Sequence, residues 1–326
     1  MTTHERKPHI GVSMRSRNLV LVTAAIAMLG LSALEVRAQT KVPLRVAYTG
    51  VITWLPAMIA KEDGIFEKNG LDVTMTRFTQ IANLPGTLGR QFDLAPTTAP
   101  DMLNAIASGI NLAAVVGNTY ESSDKKSYEV LVQDSSPIKS PKDLTGKRIA
   151  GPGVGSVMHV ALIDWVKKDG GDPSGIIGVE VPFPNMADQL KAGRVDAVEQ
   201  LQPFVGAMRA SGFRSIGDPL LKISDPVLFT FWIADADWAR GHKDVLKKFR
   251  TSLEAGLAVI NSDPAKARAV LTKYTGLPEQ VVARIPFPGY DFKVMPQQLD
   301  VWQKLMVGQG HPVGKLDMKN VVVTPE

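Results

Sequence analysis

The chain has 326 residues, of which 44% are hydrophobic and none is cysteine. That length suggests one large or two medium domains with a sizeable core, and the missing cysteine excludes disulfides, thiolate nucleophiles and cysteine metal sites. The formal charge of +5 misleads: residues 1–38 hold five of the basic residues (Arg6, Lys7, Arg15, Arg17, Arg37) and two of the acids (Glu5, Glu35), leaving 32 basic against 30 acidic residues beyond them, so there is no electrostatic case for nucleic acid or an anionic membrane.

The first stretch reads as a secretory signal peptide rather than part of the fold. Arg15 and Arg17 form its basic region, Leu19–Leu34 its apolar region, and Val36-Arg37-Ala38 a small-residue cleavage site before Gln39. Met14 is an alternative start, and an uncleaved anchor is the competing reading. Gln39, not a lipid-accepting Cys, follows Ala38. No later run has the ~20 apolar residues of a membrane span.

Lys41–Tyr48 alternates apolar and polar residues and is expected to be a strand. Trp54–Lys68 follows a helical period that Gly64 weakens or splits, and Leu71–Phe78 alternates again. A short helix near Pro85–Arg90, a brief strand at Phe92–Ala95, a helix over Asp101–Ser108 and a buried strand at Leu112–Val116 follow. This alternation of strand and helix implies a mostly parallel sheet with helices on its faces.

Tyr128–Val132 is extended. Ser140–Asp169 then carries the most informative pattern in the chain. A short strand, Arg148-Ile149-Ala150, runs into a glycine cluster at Gly151, Gly153 and Gly155, and from Val157 the apolar residues fall on one helical face. Strand, glycine turn and helix start aim free backbone N–H groups at one spot, which is also the positive end of a helix dipole and binds anions. Glycine lets a ligand approach that backbone. The spacing is neither G-x-G-x-x-G nor a P-loop, so it does not support nucleotide binding, and the same residues also suit an ordinary strand-to-helix turn.

Gly178–Val181, Met186–Ala192, Val195–Val198 and Pro203–Ser211 read as strand, helix, strand and helix, a second and smaller α/β unit. Asp225-Pro226 breaks the chain before an extended run, Val227–Ile233. The tail is helical over His242–Ile260, Ala265–Tyr274 and Pro296–Val307, with Asp263-Pro264 as a helix start. The runs Tyr128–Val132 and Val227–Ile233 bracket the middle unit and are expected to be two crossings of a hinge, with a ligand in the cleft. The implied division is 1–38 signal peptide, 39–127 first lobe, 128–228 second lobe, and 229–326 a helical return to the first lobe.

The segments LRVAY and LPAMIAKEDGIFEKNGLDV, then FDLAPTTAPDMLNAIASG, SPKDLTGKRIAGPGVGS and LKAGRVDAVEQLQPF, together resemble the periplasmic solute-binding proteins of ABC importers for nitrate, sulfonate, taurine and thiamine-pyrimidine precursors. The likeness covers nearly all of Leu44–Val307. It implies a two-lobe, type II binding-protein fold with two hinge crossings, each lobe a mostly parallel sheet flanked by helices. It also implies a periplasmic, monomeric protein that takes a small-molecule ligand to ABC permease subunits, with no cofactor and no nucleic acid partner. Carried over by position, the ligand contacts would be Thr49, Thr53 and Trp54 after the first strand, Thr97 and Thr98 at a helix start, and Tyr120 near the first crossing. The second lobe would add Gly153, Gly155, Ser156 and Val157 through backbone donors, and Gln200 and Gln202 facing the cleft.

Where many members of that family carry Trp-Glu-Pro, this chain has Leu201-Gln202-Pro203. Losing a negative charge there removes repulsion against an anion and removes a partner for an amine. The expected ligand is therefore a sulfonate, carboxylate or heterocyclic acid rather than a taurine-like zwitterion. His4, His9, His159, His242 and His311 show no metal-ligand spacing, and Asp93 and Asp196, within short strands, read as caps or turn acceptors rather than catalytic acids. An enzyme of the same fold, such as a pyrimidine-precursor synthase, would need a reactive Lys or metal-binding Cys and His. A sensing lobe for a membrane receptor is the remaining alternative.

Overall fold

Alternation of apolar and polar residues makes Val42–Thr49 (β1) and Leu71–Phe78 (β2) a parallel pair, in register from Val42 opposite Leu71 to Thr49 opposite Phe78, with Leu44, Val46 and Val73 buried beneath. The computed structural model describes Met1, Thr2, His4, 40–79 and 81–325; the signal peptide expected at 1–38 lies almost wholly outside these residues. Between the two strands, Leu55–Glu62 (α1) starts on Pro56. The helical run from Trp54 to Lys68 is split at Gly64, whose φ of +63° is a conformation glycine adopts without a Cβ penalty.

Ala95–Thr97 (β3), Ala99–Ala107 (α2) and Leu112–Glu121 (β4) follow. A four-stranded sheet runs in the order β11-β4-β10-β3, with Val227–Asp235 as β10 and Gly289–Tyr290 as β11. A Val46–Leu94 bridge joins β1 to it. Ala236–Gly241 (α6), Lys243–Ser262 (α7) and Pro264–Thr275 (α8) complete this first lobe. Asp263 caps α8 by accepting from the Lys266 amide at 3.0 Å, as the Asp-Pro signal predicted. Trp54, Trp232 and Phe249 meet edge to face, with successive ring centroids 5.1 Å apart.

The second lobe is a five-stranded sheet in the order β7-β6-β8-β5-β9, built from Tyr128–Gln133 (β5), Arg148–Gly151 (β6), Ile177–Glu180 (β7), Ala197–Leu201 (β8) and Phe213–Gly217 (β9). Val157–Lys168 (α3), Met186–Lys191 (α4) and Phe204–Ala210 (α5) flank it. Strands β6, β7 and β8 are parallel, while β5 is antiparallel to β8 and β9. In the first lobe β10 is antiparallel to both β3 and β4. The expectation of mostly parallel sheets is thus corrected to mixed sheets. Each chain crossing between lobes returns as a strand running against its neighbours, which a pure β-α-β alternation would not produce.

One device recurs in both lobes. Arg45 on β1 grips Asp93 through its backbone N–H (2.8 Å) and its guanidinium (2.6 Å), and Arg148 on β6 grips Asp196 the same way (2.8 and 3.0 Å). Each clamp ties a parallel strand of its lobe to a residue just before the strand beside it. Asp93 and Asp196, expected within short strands, instead lie just before β3 and β8, where they tether the neighbouring strand.

The extended runs expected to be the crossings lie just beyond them. The chain crosses at 122–127 and 218–226, and β5 and β10 are interior strands of the second and first lobes. The helical return is not confined to the first lobe. After Pro296–Gly308 (α9), the Gln309 side chain donates to the Val160 carbonyl of α3 at 2.8 Å, and one continuous apolar core includes Trp302 and Met306 together with Val157 and Val160. No helix among the described residues is long and apolar enough to cross a membrane.

Candidate functional site

The parallel strands β6 and β8 end side by side, and the crevice beyond the carboxyl ends of such strands is where open α/β sheets bind ligands. Here β6 leads into the turn Gly151–Ser156, in which Gly153 and Gly155 have φ of +153° and +81°. Both angles favour glycine. Ser156 is the N-cap of α3, its hydroxyl accepting from the His159 amide at 3.3 Å, and its carbonyl accepts from Val160 N–H. The Val157 and Met158 amides remain at the open helix start, where partial positive charge collects. The Val157 side chain is buried in the core, so the residue offers its backbone and nothing else. At the tip, Val154 is 72% exposed.

In the first lobe, Thr98 is the N-cap of α2 but forms no side-chain cap. Its hydroxyl donates instead to Asp101 at 2.7 Å, and the Thr97 hydroxyl turns to the Thr98 carbonyl at 3.3 Å. Burial pushes the Asp101 carboxyl up to about 6. In the loop after β1, Thr49 Oγ1 accepts from the Trp54 indole N–H at 2.6 Å, which leaves the Thr49 proton to donate. The Thr53 hydroxyl is buried without a partner, a costly state for a polar atom, while its carbonyl accepts from Asn118 at 2.8 Å.

Two expected contacts are corrected. Trp54, expected as a ligand contact, is 1% exposed; the turn entering α1 directs it inward onto Trp232. Gln200, expected to face the cleft, is fully buried, its amide donating to the Phe183 carbonyl at 3.0 Å while its oxygen accepts from Leu201 N–H. Strand alternation puts Gln200 on the face that packs under α4 and α5. Gln202 is half-buried and accepts from the Gly206 amide at 3.3 Å, while its own N–H bonds Ser127 in the first crossing. Tyr120 is half-buried and lines a hollow of about 520 Å³ beside the crossings, with Asp124, Asp225 and Asp291. Three carboxylates make that hollow a poor host for an anion.

Pattern reading missed the buried acids. Glu199 on β8 is 1% exposed and accepts from the Tyr128 hydroxyl at 3.3 Å; burial pushes its carboxyl up to about 8. Glu121, at the end of β4, accepts from Ser127 and Tyr128 N–H. It lies within hydrogen-bond reach of Asp218, and burial raises both. The signal available was the charged Glu199, beside Gln200, inside the short buried strand Ala197–Leu201. A buried carboxyl thus stands three positions before Gln202, where its absence was inferred. Among the described residues no group of His, Asp and Glu could hold a metal ion.

The NMT1/THI5 like family model matches residues 52–267. The "Taurine-binding periplasmic protein" of Escherichia coli K12 is 26% identical over 249 residues, covering 74% of this chain and 71% of that one. A putative ABC transporter periplasmic binding protein of Brachyspira hyodysenteriae is 22% identical over 247 residues, covering 71% and 69%. Among solved structures, the alkanesulfonate-binding protein SsuA from Xanthomonas axonopodis pv. citri bound to MOPS superposes with a TM-score of 0.72 at 21% identity, over 86% of this chain and 98% of that one. The periplasmic aliphatic sulphonate binding protein SsuA from Escherichia coli gives 0.71 at 21% identity, over 86% and 91%. These likenesses show the periplasmic binding protein fold.

Proposed function

The chain belongs to the NMT1/THI5-like family, and from that premise we propose that it is an extracytoplasmic solute-binding protein that captures a small organic anion between its lobes and delivers it to an ABC permease. The observation that carries the reading is the open start of α3. Glycine-bounded amides at a helix N-terminus hold a sulfonate or carboxylate head group without a charged side chain. The unpartnered Thr53 hydroxyl and the free proton of Thr49 supply donors from the first lobe, and Gln202 and Thr98 stand at the hinge and at the second helix start. The printed specificities of the relatives, taurine and alkanesulfonates, fit an anionic head group.

The reading is of binding without chemistry. Ser156 bonds the backbone of His159, not its ring, so the turn holds no nucleophile–base pair. A thermal-shift screen of small sulfonates and carboxylates tests it. A binder at 100 times its dissociation constant adds about 2.7 kcal/mol of stability. The expected result is a clear hit among organic anions that is recovered unchanged; no shift with any of them, or consumption of the hit, would refute the proposal.

A further inference from the structure

Glu199 is a residue that neither the glycine-turn pattern nor the departure at Gln202 calls for, yet its carboxyl sits against Gly151, the residue that opens the glycine turn. Gly151 closes β6 directly beside Glu199 on β8, continuing the register of Ile149 with Ala197 and Ala150 with Val198. Glu199 Oε2 presses so closely over the Gly151 Cα that a Cβ there would collide with it. The absence of a side chain at Gly151 is what admits the carboxyl to this place. Tyr128 donates to Oε1 and is the one hydrogen-bond partner of Glu199 among the described residues. Among the described residues no Lys or Arg pairs with the carboxyl, and burial raises it to about 8, so it stays a neutral acid at neutral pH. With Oε1 accepting from Tyr128, the acid proton belongs on Oε2, which has no hydrogen-bond partner of its own among the described residues. A carboxylic acid kept neutral by its surroundings is a strong donor to an oxyanion.

The geometry points to Glu199 as a specificity residue of this site, donating its Oε2–H to the oxyanion of a sulfonate or carboxylate head group seated at the Gly151–Ser156 turn. The inference rests on the anion reading above and deepens it: the site takes an oxyanion and rejects a head group that has no acceptor to offer. The other titratable groups around Glu199 are Tyr128 on β5, then Glu121 at the end of β4 and Asp218 after β9, which act on Tyr128; His159 stands in the first turn of α3, its ring near Gly178 on β7. Burial, then the nearby His311, holds His159 below its ordinary range, so it stays neutral through the range in which Glu199 ionises. Ionised, Glu199 would set a negative charge beside the bound anion.

The test is isothermal titration of the purified chain with ethanesulfonate, benzoate and taurine from pH 6 to 9.5. Wild type should bind an oxyanion with constant affinity at the acid end and lose about tenfold per pH unit above 8. Glu199→Gln, which keeps a donor but cannot ionise, should bind a few-fold more weakly at pH 6 and show a flat profile. Glu199→Leu, with no donor, should lose at least tenfold. Unchanged affinity and profile in a folded Glu199→Leu would overturn the inference and leave the anion reading standing. If Glu199→Leu does not fold, a Glu199→Gln profile that still falls above pH 8 overturns it alone. A loss in Glu199→Gln confined to taurine would also overturn it, making Glu199 an ammonium partner. Failure of wild type to bind any of the three probes would sink the anion reading and this inference with it.

Discussion

Replacing Glu199 by glutamine should stabilise the protein, and by an amount that grows with pH. The amide is nearly isosteric and keeps an oxygen for the Tyr128 hydroxyl, so packing changes little; what disappears is a proton equilibrium. Glu199 has an ordinary value of 4.5 and is raised to about 8 in the fold, chiefly by burial. Below 4.5 the folded and unfolded chains both hold the proton and the group is without effect. Between 4.5 and 8 the unfolded chain releases the proton and the folded chain keeps it, so stability falls as pH rises. At about 1.4 kcal/mol per unit, the cost accumulated between pH 5 and pH 8 is on the order of 3–4 kcal/mol. The assay is urea unfolding followed by circular dichroism at pH 5, 6.5 and 8, on wild type and Glu199→Gln. The other titrating groups, Glu121, Asp218 and His159 among them, are common to both proteins and cancel in the difference. Glu199→Gln should be close to wild type at pH 5 and several kcal/mol more stable at pH 8. A difference that stays constant across the three pH values would refute the claim that Glu199 is neutral in the fold.

Two substitutions test close approaches that only glycine permits. Gly151→Ala brings a Cβ into the Glu199 carboxyl and should cost about 1–3 kcal/mol as overpacking; combining it with Glu199→Ala should recover most of that loss, and strict additivity in the double-mutant cycle would show that the two residues do not meet. Gly256→Ala on α7 brings a Cβ into the Pro56 carbonyl of α1 and should cost a similar ~1–3 kcal/mol, read as a lower urea midpoint; an unchanged midpoint would mean the helices can separate freely there.

Much of the architecture was legible from local pattern, because the elements concerned satisfy themselves locally. The period-2 alternation of Val42–Thr49 and Leu71–Phe78 and the 3.6-residue period of Lys243–Ser262 determine which faces are buried, whatever surrounds them. Asp263-Pro264 and Ser156 state helix starts in their own chemistry, and both cap as that chemistry requires. The glycines at 151, 153 and 155 marked the turn before α3, since positive φ and close approach leave few alternatives to glycine.

What tertiary structure alone decided is which side of each element meets the other lobe. Trp54 and Gln200 carry chemistry suited to a ligand, yet both turn inward, because a ring beside Trp232 and an amide under Phe183 find partners there that no local rule foresees. Glu199 shows the converse. A single acid in a short buried strand says nothing about its neighbour in space, and only the pairing of β8 with β6 sets its carboxyl over Gly151. The antiparallel strands at the hinge and the contact of Gln309 with Val160 were hidden for the same reason: they depend on the chain meeting itself across long stretches of sequence, and the energy of such a meeting is written in neither partner alone.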